Sequence, residues 1–271
     1  MVRDKMMLFV NERPYEFRDG LRVIDVAGVV KPEADLFIVN GHPVSSATPL
    51  ADDDRCWLIR KGEKPTAEEL ERLLYARHSP GVHGKVKEAS VGIMGLGGLG
   101  SLVAVALARV GVGHLLLADF DVVEPSNLNR QQYFIEQIGV RKTAALKHNL
   151  GMINPYLRID TIDAVLTEKS IPDLFGGVDV LAECFDGAEM KAAALRCALV
   201  SLKGKGFVGA SGMAGFEDNN MIRTSKIRDR VYLVGDGETE AGPGQGLMAP
   251  RVGIAAHHQA NQVLRLLLGV A

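Results

Sequence analysis

Six residues, Gly95-Leu96-Gly97-Gly98-Leu99-Gly100, join the apolar run Val91-Gly92-Ile93-Met94 to a helical stretch from Leu99 to Val110. A glycine-rich turn in that position admits few folds, because a buried strand must run into it and a helix must pack back on the sheet. Asp119 closes the next apolar run, Leu115-Leu116-Leu117-Ala118, 19 positions after Gly100. Glycine permits the tight turn and lets backbone N–H groups approach phosphates, the helix N-terminus adds positive partial charge, and the acid suits ribose hydroxyls. With strand, turn, helix and acid in register, the segment predicts a nucleotide site; a turn whose glycines serve helix packing alone is the other reading.

Apolar runs then alternate with helical stretches. Val178–Ala182 reads as a buried strand, and 142–153 and 188–202 read as helices. The expectation for residues 85–271 is a doubly wound, Rossmann-like α/β domain with a mostly parallel sheet. Residues 1–62 read as a small α+β module of β-grasp type. In it, Met7–Val10 and Arg13–Phe17 flank Asn11-Glu12, and 22–30 forms an amphipathic helix. Leu36–Val39 leads into Asn40-Gly41, and Cys56–Arg60 follows Asp52-Asp53-Asp54. Residues 63–84 read as a linker whose helix, over 63–78, starts at the capping-box pair Thr66 and Glu69 and ends before Ser79-Pro80-Gly81.

Composition removes several classes of function. Lys and Arg total 31 against 33 for Asp and Glu, a net charge of −2 that gives no global field for a polyanion, so nucleic acid is not an expected partner. No apolar run approaches the ~20 residues that cross a bilayer and no signal-peptide pattern is present, so the expectation is a cytoplasmic protein without a membrane partner. The 3 cysteines, Cys56, Cys184 and Cys197, form no Cys-x-x-Cys pair and encode neither a disulfide framework nor a cysteine zinc site.

The glycine turn alone suggests a dinucleotide, but the residues after Asp119 argue otherwise. The stretch Asp119-Phe120-Asp121 to Asn127-Leu128-Asn129-Arg130-Gln131 adds an arginine, and Gly139-Val140-Arg141-Lys142 adds a lysine at a helix start. Two fixed cations suit a triphosphate attacked at its α-phosphorus better than the bridging phosphates of NAD. Surface salt bridges are the plainer use of either cation.

In that order and at similar spacings, Gly95–Gly100, Asp119-Phe120-Asp121, 127–131, Lys142, Asn154-Pro155 and Leu247-Met248-Ala249-Pro250 resemble the ThiF/MoeB/ubiquitin-activating-enzyme superfamily over about residues 75–271. Residues 37–44 and 58–62 resemble the sulfur carriers ThiS and MoaD, which points to the ThiF branch with a fused ThiS-like region. The resemblance implies an enzyme, a nucleotidyltransferase that uses ATP and Mg²⁺ to adenylate the terminal glycine carboxylate of a ThiS-like carrier in thiamine (thiazole) biosynthesis. Carried over residue by residue, Gly95, Gly97, Gly98 and Gly100 form the loop around phosphate and adenosine, and Asp119 takes the ribose. Asp121, Asn127 and Gln131 line the pocket, Arg130 and Lys142 meet the phosphates, and Asp186 holds Mg²⁺. Arg77, in Tyr75-Ala76-Arg77, reaches the ATP of a neighbouring subunit, which implies a homodimer.

Departures from that pattern carry information of their own. The family's Asp-x-x-Asp-Asn is Glu183-Cys184-Phe185-Asp186-Gly187 here, and the span from Arg77 to Gly95 is short. The ThiS-like module runs on through Lys61-Gly62-Glu63 instead of ending in Gly-Gly, so it is not activated at that point. Residues 203–271 hold no cysteine, so the expected reaction stops at the acyl-adenylate, without zinc and with sulfur brought by a separate protein. Asp186 suits either Mg²⁺ or the N-cap of the next helix, and Arg77 either ATP or its own helix C-terminus. Cys184 reads as packing before reactive thiol, Trp57 as core before a carrier-docking surface, and His257-His258, about 100° apart on a helix, as packing or capping rather than a metal pair. Gly235–Gly246 reads as a mobile crossover or an ordinary surface loop. Adenylation of another carboxylate, as in dehydratases acting on threonylcarbamoyl-adenosine in tRNA, and a regulatory scaffold are the alternatives for the whole chain.

Overall fold

The computed structural model describes residues 5–63 and 66–271, which form two compact units divided between His83 and Gly84. In the first unit, β1 (Lys5–Val10) and β2 (Arg13–Arg18) pair through a two-residue turn. Asn11 and Glu12 both have positive φ there, 48° and 63°, the geometry that follows strand twist in tight hairpins. Next come α1 (Val23–Val30), β3 (Leu36–Val39), β4 (His42–Val44) and β5 (Arg55–Ile59), giving the sheet order β2-β1-β5-β3-β4 with β1 and β5 parallel. Met6, Leu8 and Val10 alternate along β1 and meet Val23, Val26 and Ala27 of α1 in one core.

The helix expected over 63–78 is shorter and differently used. It is α2 (Ala67–Leu74), and Lys64-Pro65 of the expected linker lie outside the described residues. Thr66 and Glu69 form the capping box, and the turn tightens at Tyr75, whose N–H bonds the Arg72 carbonyl. Instead of bridging freely, the segment packs into the first unit, where Leu73 and Ala76 join Ile38, Trp57 and Ile59. Trp57, 4% exposed, is core as expected. A short α3 (Val82–Lys87), not foreseen, follows the Ser79-Pro80-Gly81 turn.

The second unit is the doubly wound domain. Its elements are β6 (Ser90–Met94), α4 (Gly98–Val110), β7 (His114–Ala118), α5 (Lys142–Ile153), β8 (Arg158–Ile162), α6 (Ser170–Phe175), β9 (Val180–Glu183), α7 (Ala188–Val200), β10 (Gly206–Ala210), β11 (Arg223–Arg228), β12 (Val231–Gly235) and α8 (Ala249–Leu268). The seven strands run β11-β12-β10-β9-β6-β7-β8, all pairs parallel except β11 with β12. The order reverses beside β6, so the glycine turn opens at the carboxyl edge of the sheet, where such folds bind ligands. Phe175, Leu181, Ala194 and Phe207 lie in a core formed by α6, α7 and the strands, and α8 packs on α4.

Candidate nucleotide site

Gly95 has φ +87°, and a Cβ there would lie 2.8 Å from the Cys184 carbonyl oxygen; a Cβ at Gly100 would lie 1.9 Å from the Gly95 oxygen. Only glycine closes the turn this tightly. Gly97 is the N-cap of α4 with no side chain capping it, so the first N–H groups of that helix face outward without a side-chain acceptor.

Asp119 holds the turn rather than merely facing it. Its Oδ2 accepts from Leu96 N–H at 2.6 Å and its Oδ1 from Asp121 N–H at 2.8 Å, and at 9% exposure each oxygen keeps a second lone pair for a ligand hydroxyl. Asp121 in turn sets Lys142: the ammonium lies 2.9 Å from its Oδ2, and Lys142, the first residue of α5, is 6% exposed.

The segment 127–133 is stitched to the same turn. A Cβ at Gly98 would lie 3.5 Å from Arg130 Cγ, so the arginine stem runs along the start of α4 while its guanidinium donates to the Ser126 carbonyl at 3.2 Å and Asn129 Oδ1 at 2.9 Å. Asn127, 7% exposed, accepts from Glu124 N–H. Gln131 Nε2 lies 3.8 Å from where a Gly97 Cβ would be, and Gln131 Oε1 is buried with no hydrogen-bond partner. An orphaned acceptor beside uncapped helix N–H groups fits a ligand with donors of its own, such as an adenine or ribose.

Two residues of this frame carried no signal in the sequence. Tyr133 donates its hydroxyl to the Leu96 carbonyl at 2.8 Å, and Ser101 bridges the Gly97 carbonyl at 2.7 Å and Gln132 N–H at 3.1 Å. Burial, then the charges of Asp119 and Asp121, push the Tyr133 phenol well above its ordinary range, so it stays a donor.

Past β9, Asp186 is exposed and Gly187 is the N-cap of α7, with no side-chain cap. Capping by Asp186 is therefore not its role. Among the described residues, no three His, Cys, Asp or Glu side chains converge as metal ligands, so any Mg²⁺ would rest on one or two carboxylates, with substrate oxygens and water completing its shell. Glu183, 1% exposed, is committed elsewhere: Oε1 accepts from Phe185 N–H and Lys191 Nζ at 2.8 and 3.1 Å, and Oε2 from Ala210 N–H at 3.3 Å. Burial raises its pKa against the pull of Lys191. A cleft of about 200 Å³ beside this pair is lined by Ala188, Phe207, Ser211 and Leu233 as well.

Cys184 is buried, donates to Gln259 Oε1 at 3.5 Å and is pushed up by burial and then by Glu183, so it is a packed thiol. His257 and His258 are both exposed and take separate partners, the Gly253 carbonyl and the Thr224 hydroxyl. Hydrogen bonding, not packing, is their use.

A buried pair that sequence reasoning missed anchors the crossover after β12. Arg251, in the first turn of α8, meets Asp236 Oδ2 at 2.7 Å with side-chain exposures of 3% and 1%, and reaches the Glu217 and Asp218 carbonyls at 2.7 and 3.1 Å. Gly215 N–H bonds the Gly246 carbonyl at 2.8 Å, so the glycine-rich stretch is tied at both ends.

A family model described as ThiF family matches residues 72–271, and one described as ThiS-like ubiquitin matches residues 6–62. The chain belongs to the ThiF family. The molybdopterin-synthase adenylyltransferase of Haemophilus influenzae is 31% identical over 193 residues, 69% of this chain and 77% of that protein. The adenylyltransferase and sulfurtransferase UBA4 of Eremothecium gossypii is 31% identical over 222 residues, 77% of this chain but 49% of that longer protein. Escherichia coli tRNA N6-threonylcarbamoyladenosine dehydratase, TcdA, solved with ATP, superposes with a TM-score of 0.64 at 21% identity, covering 72% of this chain and 92% of that one, a likeness of fold. This ThiF-family chain thus joins the doubly wound frame to a ThiS-like region, as its motifs imply.

Proposed function

We propose that this protein adenylates the C-terminal glycine carboxylate of a ThiS-like sulfur carrier with ATP and Mg²⁺, releasing pyrophosphate, in the thiazole branch of thiamine biosynthesis. The observation that carries the reading is the shared frame of the glycine turn, Asp119–Leu96, Gly98–Arg130 and Asp121–Lys142. In this reading Asp119 accepts the ribose hydroxyls, and the N–H groups at Gly98–Gly100 and Gln131 hold the nucleotide. Lys142 and Arg130 neutralise charge that builds on the phosphates as the carboxylate oxygen bonds to the α-phosphorus and pyrophosphate departs. Mg²⁺, held by Asp186, supplies Lewis-acid neutralisation of the same phosphates. Arg77 is the further cation, given from a neighbouring copy.

A homodimer accords with the exposed apolar side chains Phe120, Val122, Phe134, Ile135, Ile138 and Val140, all within the stretch that carries Arg130. No described helix is long and apolar enough to cross a membrane, and the proposed setting is the cytoplasm, with a separate sulfur donor completing the pathway. The test is ATP–pyrophosphate exchange with purified protein, Mg²⁺ and a Gly-Gly carrier, beside the carrier lacking its last glycine and the Arg130→Ala variant. Exchange that needs the intact carrier and Arg130 supports the reading. Exchange absent with the carrier, while ATP binds, refutes it and turns attention to another carboxylate.

A further inference from the structure

The ThiS-like unit ends in no Gly-Gly, and its packing gives it another task. Along β5, Cys56 and Leu58 face α1 while Trp57 and Ile59 face the opposite side; along β3, Phe37 and Val39 face α1 and Ile38 faces away. The second apolar stripe is thus confined to β3 and β5, where Leu73 and Ala76 cover it. Arg72 adds a hydrogen bond to the Asn11 carbonyl at 3.4 Å, and Lys31 lies 2.8 Å from Glu63 and 3.9 Å from Glu69. The sheet therefore has a helix on each face.

The residues just past α2 are held still more closely. Gly41, at φ +85° in the β3–β4 turn, approaches the His78 carbonyl so nearly that a Cβ would lie 2.7 Å from its oxygen. Tyr75, 6% exposed, stacks on His83 with ring centroids 3.9 Å apart, and Ala76 is 2% exposed. Within Tyr75–His78, Arg77 alone is exposed.

We propose that the ThiS-like unit is the mount of Arg77: the sheet and its β3–β4 turn fix the Tyr75–His78 backbone and so aim the Arg77 guanidinium, and the unit is never handled as a carrier. This rests on the reading of Arg77 as a cation that meets ATP. Gly41 and Ala76 are then positioning residues, since aim is lost steeply with displacement: a misplacement of about 1 Å costs roughly 100-fold in rate.

Two measurements on the full chain test it. Trp57 is the only tryptophan and lies beneath the covering segment. Its emission should stay blue, and its acrylamide quenching unchanged, on adding a non-hydrolysable ATP analogue and a Gly-Gly carrier; a red shift with increased quenching means that α2 lifts from the sheet and overturns the mount. In pyrophosphate exchange, Gly41→Ala should lose roughly 10- to 100-fold. Arg77→Ala should lose at least as much, and the double variant no more than Arg77→Ala alone, because an aim that no longer matters cannot be lost twice. Losses that multiply, or an unimpaired Gly41→Ala, overturn the proposal. Should circular dichroism show Gly41→Ala misfolded, Ala76→Leu, which overpacks the same seam without touching the turn, takes its place in the cycle. Absence of exchange in the unaltered protein counts against the adenylation reading, and the Trp57 measurement still decides whether the cover holds.

Discussion

Replacing Asp236 by Asn removes one charge from the interior and little else. Asn keeps the Oδ1 that accepts from Glu238 and Thr239 N–H, both at 2.8 Å, but sets an amide NH₂ where Oδ2 now accepts from Arg251 and the Thr239 hydroxyl at 2.7 Å. Arg251, with a side chain 3% exposed and an Nε already lacking a partner, is left as an uncompensated buried cation. Breaking a buried pair in this way costs about 3–5 kcal/mol. At roughly 2–4 °C per kcal/mol for a unit of this size, the melting temperature should fall by about 6–20 °C. Calorimetry should show the loss in the transition of the doubly wound unit, while the transition followed by Trp57 fluorescence, which reports the first unit, stays in place.

The pH dependence fixes the sign. Burial alone would raise the Asp236 pKa, but the Thr239 N–H and hydroxyl, the Glu238 N–H and Arg251 hold its carboxyl well below the usual carboxylate range. A group depressed on folding contributes stability that is present above its unfolded value, ~3.9, and is lost as pH falls through the folded one. The gap between the two proteins should be full at neutral pH and close only below about pH 4. A gap under about 1 kcal/mol at pH 7, or one that widens on acidification, refutes the clamp.

Glu183→Gln should cost less, about 1–2 kcal/mol in urea unfolding, because Lys191, with a side chain 23% exposed, can turn to water once its partner is neutral. Tyr133→Phe removes the hydrogen bond to Leu96 and should cost about 1 kcal/mol, read as faster hydrogen exchange in the glycine turn. Lys142→Ala should lower pyrophosphate exchange by roughly 100- to 1,000-fold with the fold intact by circular dichroism. The native protein should react slowly with a thiol reagent at pH 8, since burial pushes Cys56 up to about 12 and Cys184 and Cys197 upward too; all 3 thiols should react fast in guanidinium.

What could be read ahead of the structure was whatever local chemistry dictates. The two turns Asn11-Glu12 and Asn40-Gly41, the buried runs of β6 and β7, and α5 follow from turn residues and periodicity. β10, Gly206-Phe207-Val208-Gly209-Ala210, escaped because two glycines dilute its apolar signal, although every residue is buried. β11 escaped because its charged, exposed sequence is stabilised only by pairing with β12. In the site, the frame around Asp119, Arg130 and Lys142 was legible as a motif. Tyr133, Glu183–Lys191 and Asp236–Arg251 were not, since each depends on residues that only the folded chain brings together. The linker helix is shorter than its apolar positions suggest: it ends at Leu74 with Tyr75 as its C-cap, and Ala76, past the helix, packs with Ile38 and Trp57 of the sheet.

Synthesis meets the covered sheet in a particular order. Ala76 follows Ile59 by 17 residues, so a ribosome adding about 5–20 residues per second leaves the Ile38–Trp57 stripe bare for only ~1–3 s before its cover is made. The centre of the second sheet waits longer, because Val91 of β6 pairs with Val180 of β9, 89 residues later, which is ~4–18 s of elongation. The first unit can therefore be finished and closed while the second is still an unpaired strand and a helix. A nascent chain stalled before residue 76 should be the form that chaperones bind through the stripe, and one stalled beyond it should present them only the unfinished parallel sheet.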